Sequence, residues 1–176
     1  MFLWLLGCPK PVHVDTGEDT DISEETGLVD AEVFEGASPC RSPIQVTVLW
    51  VHDGDTATVE HGTVHETVRF VGIDTPEMDF GGSNPDCWAQ QATDRATELL
   101  ENEVVWLGFD ATCTDAYDRT LAYITLDGEF INRQMVREGH AWAFPFEPNT
   151  TFASNFQTAE QQASAEGAGL WGNCDY

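Results

Sequence analysis

The feature that most constrains the fold of this chain is a succession of three β-branched, apolar segments. They read IQVTVLWVH from residue 44, TATVEHG from residue 56 and VHETVRFVGI from residue 64. Such segments are typical of strands, and the DGD between the first two is typical of a tight turn. The sequence therefore predicts three consecutive strands that run back and forth, the third continuing to Ile73.

The rest of the chain adds two strands and three helices to this meander. After a loop rich in Gly, Asn and Pro, small and apolar residues recur with helical spacing in CWAQQATDRATELLEN. Strands four and five are predicted at EVVWLGFD and RTLAYITL, and two further helices at FINRQMVREGH and TFASNFQTAEQQASAEGAGLW. This order predicts an α+β fold, a five-stranded OB-fold β-barrel packed by three helices, an architecture that often binds nucleic acid.

The first 42 residues differ in composition from the rest. They begin with MFLWLLGC, which is apolar, too short to span a bilayer, and similar at Cys8 to a bacterial lipobox. We expect residues 1–8 to be a lipoprotein-like signal remnant, with a chance apolar start as the alternative. Residues 14–36 hold nine acidic residues and no basic one. We therefore expect a disordered acidic tether over residues 9–42 and a folded domain over residues 43–176.

The expected export of the chain determines how its cysteines are interpreted. If Cys8 carries a lipid, four others remain, and none of them has the spacing of zinc ligands. Four cysteines in an exported chain predict two disulfides, for which three pairings are possible. We expect Cys87–Cys113, because both lie in loops that flank a charged segment, and Cys40–Cys174, because the ends of a domain usually lie close together. The protein is then expected to be lipid-anchored at the bacterial envelope or secreted.

A group of oxygen ligands is predicted where the first hairpin meets the end of the third strand. DGDT covers residues 53–56 and IDTPE covers residues 73–77. The residues expected to converge there are Asp55, Asp74, Thr75 and Glu77. Three carboxylates this close repel one another unless a cation lies among them, and an irregular oxygen site suits Ca²⁺ better than Mg²⁺. Asp53 is interpreted as a turn former.

Two arginines lie near these acids. Arg69 precedes Asp74 by five residues on the third strand, and Arg119 follows Tyr117 by two residues at the start of strand five. A cation-held carboxylate pair between two guanidinium groups suits phosphoryl chemistry, because the metal and the guanidinium groups stabilise charge on the phosphate oxygens. Glu77 would then polarise the attacking water.

Five segments occur in the order and spacing of the staphylococcal nuclease family: DGDT, VRFVGIDTPE, DAYDRTLAYI, INRQMVREGHA and GAGLW. The chain resembles this family from about Val46 to Trp171, which excludes the acidic segment. The resemblance implies an OB barrel with three helices. It also implies a Ca²⁺-dependent phosphodiesterase that cuts DNA and RNA and leaves 3′-phosphate and 5′-hydroxyl ends.

The resemblance further implies a role for each candidate residue. It implies Ca²⁺ ligands at Asp55, Asp74 and Thr75, catalytic groups at Arg69, Glu77 and Arg119, and substrate contacts at Tyr117, Phe144 and Phe146. The two phenylalanines replace tyrosines that stack on a base in the family, and stacking needs only the ring face. Asp118 stands where the family usually has glycine, so we expect it to adopt a positive φ.

The net charge argues against a nucleic-acid substrate. The chain has 31 acidic and seven basic residues and a net charge of −24, whereas a protein that binds nucleic acid normally carries a basic surface. We therefore expect weak affinity for DNA and/or RNA, and we infer no obligate protein partner. Two alternatives stay open: a non-catalytic OB-fold module that binds nucleic acid or protein, and an acidic surface protein that binds calcium without cutting anything.

Overall fold

The computed structural model of the protein describes residues 32–78 and 84–175. The longer strands are β1 (Ile44–Asp53), β2 (Thr56–His61), β3 (Val64–Phe70), β5 (Val104–Gly108) and β6 (Thr120–Leu126). The short strands are β4 (Ile73–Asp74), β7 (Glu129–Phe130) and β8 (Trp142–Ala143). The helices are α1 (Ala89–Leu100), α2 (Ile131–Arg137), α3 (Ala153–Glu166) and α4 (Leu170–Asn173).

The five longer strands close into a barrel. β1 lies between β2 and β5, β2 also pairs with β3, and β5 with β6, all antiparallel. The barrel closes where β3 and β6 run parallel, with Val68 opposite Thr120. The apolar side chains of these strands, among them Val59, Leu107 and Ile124, are buried inside it. This closed mixed barrel with three main helices confirms the predicted OB-fold architecture; α4 adds a single turn.

The helix α1 lies against the barrel through a face of small side chains. Ala92, Ala96 and Leu100 recur every four residues and are fully buried. Residues four apart lie on the same side of a helix, and alanine lets the helix backbone approach β1 closely. The predicted alanine face is therefore the one that packs. No helix in the described part of the chain is long and apolar enough to cross a membrane.

The third strand is shorter than its sequence pattern predicts. β3 ends at Phe70, and the chain turns through Gly72, which has φ 79°, before β4 begins. A side chain at Gly72 would collide with the ring of Phe156 beneath it, so only glycine fits this turn. β4 then pairs with β8, which places Asp74 at the edge of the barrel rather than in its wall.

The end of the segment assigned to the tether packs on the barrel. Phe34 stacks on Phe130 with 4.5 Å between ring centroids. The backbone N–H of Gly36 donates a hydrogen bond of 2.8 Å to the carbonyl oxygen that follows β5. The ordered structure therefore includes residues 32–42 as well. Residues 1–31, with the expected signal remnant and most of the expected tether, lie outside the described residues.

The predicted disulfide pairing is wrong, although two disulfides are present. The bonds join Cys40 to Cys113 and Cys87 to Cys174, with Cα–Cα distances of 5.7 and 5.9 Å. Cys40 pairs with Cys113 because residues 32–40 run along the end of β5, close to the loop that follows it. Cys174 pairs with Cys87 because α4 returns the end of the chain to the start of α1.

Candidate active site

The tight pairing of the first three strands brings the predicted acids together. Thr56 at the start of β2 lies opposite Arg69 near the end of β3. Asp55 therefore faces the turn that leads into β4, and its carbonyl oxygen accepts a 2.8 Å hydrogen bond from the N–H of Phe70. Asp53 Oδ1 accepts a hydrogen bond of 3.1 Å from the N–H of Asp55, which supports its interpretation as a turn former.

Asp55 is a buried carboxylate that links the first hairpin to the segment after β4. It is 4% exposed. Its Oδ2 accepts hydrogen bonds from the backbone N–H of Thr75 at 2.9 Å and from its hydroxyl at 3.1 Å, and Oδ1 accepts one from the Thr56 hydroxyl at 3.1 Å. Burial raises the pKa of Asp55 to about 7; Arg69 opposes this rise and Asp53 adds to it.

Arg69 holds the two aspartates on one guanidinium group. Its Nη2 lies 2.8 Å from Asp74 Oδ1 and 3.1 Å from Asp55 Oδ2. Its Nη1 donates hydrogen bonds of 2.8 Å to the carbonyl oxygens of Phe70 and Ile73, across the turn at the end of β3. The arginine is thus fixed at four points, and the carboxylates of Asp55 and Asp74 meet at it as predicted from the sequence.

Glu77 lies at the rim of this group. Glu77 is exposed, and its backbone is hydrogen-bonded to Asp86, nine residues later in the chain. Partial burial raises the pKa of the Glu77 carboxyl, and the charges of Asp53 and Asp74 raise it further. Glu77 is therefore within electrostatic reach of the aspartates without being hydrogen-bonded into the Arg69 network.

The second arginine is held by an aspartate that the sequence analysis missed. Asp115 Oδ2 accepts a 2.7 Å bond from Nε of Arg119, and Oδ1 accepts the backbone N–H groups of Tyr117 and Arg119 at 2.9 and 3.0 Å. Burial opposes ionisation of Asp115, but these hydrogen bonds outweigh it and lower its pKa. Asp118 has φ 61°, as expected. The sequence did contain a signal for this role of Asp115, because an Asp two residues before the bonded N–H is typical of an Asx turn.

Both arginines and the three aromatic candidates line one cavity of about 440 Å³. The residues Tyr117, Phe144 and Phe146 are 81%, 52% and 72% exposed. Large aromatic side chains that do not bury their faces in the core are available to stack on a planar ligand. The cavity therefore combines cationic groups with open ring faces, and it lies beside Asp74 and Asp55 across the side chain of Arg69.

The oxygen donors of this site fit a hard cation. Within the described residues, no cluster of three His, Cys, Asp or Glu side chains forms a ready metal cage. Asp55 and Asp74 nevertheless converge, the backbone of Thr75 is fixed beside Asp55, and burial raises the pKa values of both aspartates. A cation would stabilise these desolvated carboxylates, and water would complete the shell of a Ca²⁺ ion held by few protein oxygens.

Known proteins that resemble this chain include several nucleases. The SPbeta prophage-derived endonuclease YokF of Bacillus subtilis (strain 168) is 34% identical over 135 residues, 76% of this chain and 46% of that protein. Endonuclease YncB of the same organism is 33% identical over 135 residues, 76% of this chain and 64% of that protein. The thermonuclease of Staphylococcus hyicus is 32% identical over 126 residues, 72% of this chain and 75% of that protein.

The extent of these matches differs between the relatives. The chain spans about half to two thirds of the length of the two Bacillus endonucleases and three quarters of the thermonuclease. The family described as staphylococcal nuclease homologue matches residues 67–173, which include the end of β3, the four helices of the described structure and most of the candidate site. The chain belongs to the staphylococcal nuclease homologue family.

Proposed function

We propose that this protein is a Ca²⁺-dependent nuclease that hydrolyses phosphodiester bonds in DNA and/or RNA and leaves 3′-phosphate ends. The observation that carries the proposal is that Arg69 and Arg119 line one cavity together with three exposed aromatic rings. Guanidinium groups donate charge-assisted hydrogen bonds to phosphate oxygens, and aromatic faces stack on bases. The names of the related endonucleases and thermonuclease support the same chemistry.

In this proposal the two arginines hold the scissile phosphate from two sides. Arg69 reaches it from the barrel wall and Arg119 from the loop after β5, where Asp115 fixes the guanidinium. Tyr117 contacts a phosphate, and Phe144 and Phe146 stack on a base. Fixed cationic donors stabilise charge that develops on the phosphate oxygens as the bond breaks.

Glu77 accepts the proton of the attacking water, which its exposed position at the rim allows. The water oxygen bonds to phosphorus in line with the 5′ oxygen; the bond from phosphorus to the 5′ oxygen breaks, this oxygen takes a proton from solvent, and the phosphate stays on the 3′ oxygen. Asp55, Asp74 and the carbonyl of Thr75 would hold Ca²⁺. When bound, the ion supplies positive charge that stabilises the negative charge on the phosphate.

Plasmid DNA and an end-labelled single-stranded oligonucleotide test this function. We expect cleavage with Ca²⁺ and none with excess chelator. A phosphatase should release phosphate from the 3′ ends of the products. Glu77→Gln should lower kcat on the order of a hundredfold or more while the circular dichroism spectrum is kept. Parental cleavage by Glu77→Gln, or equal cleavage with and without chelator, would contradict the proposal.

A non-catalytic binding module is the second candidate function. It is favoured by the way Arg69 already neutralises Asp55 and Asp74, which leaves less charge to attract a metal. In that case the protein would bind the oligonucleotide in Ca²⁺ without shortening it. The same assay therefore separates the two functions.

We further propose that the protein works outside the cytoplasm, secreted or tethered to the envelope through a lipid on Cys8. Two disulfides support this location, because such bonds persist in oxidising compartments. Residues 9–31 would form the acidic tether. Metabolic labelling with a fatty acid should label the full chain, and Cys8→Ser should abolish the label; equal labelling of both would contradict the tether.

A further inference from the structure

The loop between Glu77 and Asp86 is closed at its base by two reciprocal hydrogen bonds. Asp86 Oδ2 accepts the backbone N–H of Glu77 at 3.2 Å, and the backbone N–H of Asp86 donates to the carbonyl oxygen of Glu77 at 3.0 Å. Both residues are exposed. A pair of bonds in opposite directions fixes the distance and the orientation between the two backbone segments.

Asp86 is itself held in place by the residues that follow it. The next residue, Cys87, is joined by a disulfide to Cys174 at the end of the chain. Trp88 has φ 74°, a strained conformation for a residue with a side chain, and its indole N–H donates a 3.2 Å bond to Nδ1 of His140. Because neighbouring contacts hold this conformation, Asp86 offers a fixed point.

Glu77 is held from the other side as well. Thr75, two residues earlier, is 3% exposed and donates two hydrogen bonds to Asp55. Pro76, between them, is buried and limits the backbone rotation. The Glu77 backbone is therefore held between the barrel and Asp86, whereas its exposed side chain has little packing to direct it.

We propose that Asp86 is a positioning residue, which sets the backbone of Glu77 so that its carboxylate faces the scissile phosphate. This inference rests on the proposed function, since it takes Glu77 to be the group that activates water. Asp86 does not touch the substrate in this account. It acts through a hydrogen bond that needs an oxygen acceptor and does not need a negative charge.

The test compares Asp86→Ala and Asp86→Asn in the full chain, with a single-stranded DNA oligonucleotide in Ca²⁺. Asp86→Ala should lower kcat on the order of tenfold, because a small displacement of a catalytic group is costly, and should leave KM unchanged. Asp86→Asn keeps an acceptor oxygen and should restore most of the parental kcat. Asp94→Ala is the matched control, because Asp94 is exposed on α1 and its side chain is hydrogen-bonded only to Gln90 among the described residues.

A double variant shows whether Asp86 acts through Glu77. Glu77→Gln/Asp86→Ala should be no slower than Glu77→Gln alone, since the positioned carboxylate is already gone. If the two substitutions lower kcat by factors that multiply in the double variant, the inference is overturned. A low kcat of Asp86→Asn would also overturn it, because it would indicate a role of the negative charge. If Glu77→Gln cuts at the parental rate, the proposed function fails; if it is slow while Asp86→Ala is parental, only this inference fails.

Hydrogen exchange supplies a measurement that does not depend on the folding of a variant. In the unmodified protein the Glu77 backbone N–H should exchange more slowly than an N–H exposed to water, because Asp86 binds it. Unprotected exchange at Glu77 would overturn the inference even if Asp86→Ala does not fold.

Discussion

Arg69 and Arg119 face the same cavity but are held in different surroundings. The Arg69 side chain is 16% exposed and is paired with Asp55, which is buried in the barrel wall. The Arg119 side chain is 33% exposed and is paired with Asp115 on a loop. Removing the partner of a buried charge costs more than removing the partner of one that is partly exposed and keeps other hydrogen bonds, and Asp115 would keep those from the backbone N–H groups of Tyr117 and residue 119. Two residues with the same proposed role should therefore differ in their effect on folding.

We predict that Arg69→Ala, measured above pH 7 where Asp55 is ionised, lowers the free energy of unfolding by about 1–3 kcal/mol, because it leaves the buried carboxylate without its cation. Arg119→Ala should change it by less than about 0.5 kcal/mol. Both should lower kcat on the order of a hundredfold or more. Urea denaturation and oligonucleotide cleavage measure the two quantities, and equal loss of stability in both variants would contradict this account of Arg69.

The buried carboxylate of Asp55 predicts a dependence of stability on pH. Its pKa is about 7 in the folded protein, against an ordinary value of 3.8. The folded state binds the proton of Asp55 more tightly than the unfolded state does. The resulting contribution to the free energy of unfolding is fully present below the pKa of Asp55 in the unfolded state, and it is lost as the pH rises through its pKa in the folded state. Without Ca²⁺, the free energy of unfolding should fall by up to about 1.4 kcal/mol per pH unit between pH 5 and 7.

Asp55→Asn provides the control for this prediction, because its side chain has the same shape and does not titrate. The decline with pH should be absent in this variant, and Ca²⁺ should reduce it in the parental protein by binding the ionised carboxylate. Urea denaturation at several pH values, with chelator and with Ca²⁺, makes the comparison. The same pH dependence in parental protein and Asp55→Asn would show that Asp55 is not its source.

At the scale of single residues, the sequence predicted the candidate site residues that lie at the end of a strand or hairpin. It missed the residues whose side chains hold backbone N–H groups of a loop. Asp55, Asp74 and Arg69 could be placed because strand order alone sets which ends meet. Asp115 and Asp86 hold N–H groups of their neighbours. Such contacts depend on the path of a loop, which no periodic pattern encodes.

Among the elements, the long strands and helices were predictable and the short strands were not. The five longer strands and α1, α2 and α3 show periodic apolar positions over five or more residues. β4, β7 and β8 have two residues each, too few for a period to be visible. The break between β3 and β4 depends on Gly72, and its cause, the ring of Phe156, is distant in the sequence.

This break predicts a difference between two glycines that both have positive φ. Gly72→Ala should lower the free energy of unfolding by about 2–4 kcal/mol, because it adds overpacking against Phe156 to the cost of the left-handed backbone. Gly62→Ala is the matched control: Gly62 has φ 65°, and a Cβ there would have nothing within 4 Å. Its cost should be only about 1–2 kcal/mol. Urea denaturation of both variants tests this, and equal costs would show that Phe156 does not set the turn.

At the scale of the whole molecule, the fold determines the pairing of the disulfides, which the number of cysteines alone does not. The sequence predicted two disulfides, but four cysteines allow three pairings, and the choice depends on where α4 and residues 32–40 lie on the barrel. Each bond ends near one side of the candidate site. Cys113 shortly precedes the Asp115 loop, and Cys87 directly follows Asp86. Both therefore restrain segments whose aspartates hold the proposed catalytic groups Arg119 and Glu77.

The charge of the molecule also looks different once the arginines are placed. The residues after 40 carry 22 acids and six arginines, a net charge of −16. In the described structure five of these arginines form ion pairs with acids, at Arg41, Arg69, Arg95, Arg119 and Arg137. Few cations are then left to displace the counterions of a nucleic acid.

We therefore predict a shallow dependence of binding on salt. With two phosphate contacts, log Kobs should fall with log[salt] at a slope of about −1.4 for a single strand, against about −6 for a protein with eight contacts. Fluorescence anisotropy of a labelled oligonucleotide on the Glu77→Gln variant in Ca²⁺ measures this slope without cleavage. Arg119→Ala in that background should reduce the slope by about 0.7. Arg133→Ala should leave it unchanged, because Arg133 lies on α2, away from the aromatic cavity. A slope clearly steeper than −1.4 would contradict the prediction, because it would mean that cations outside the cavity also bind the strand.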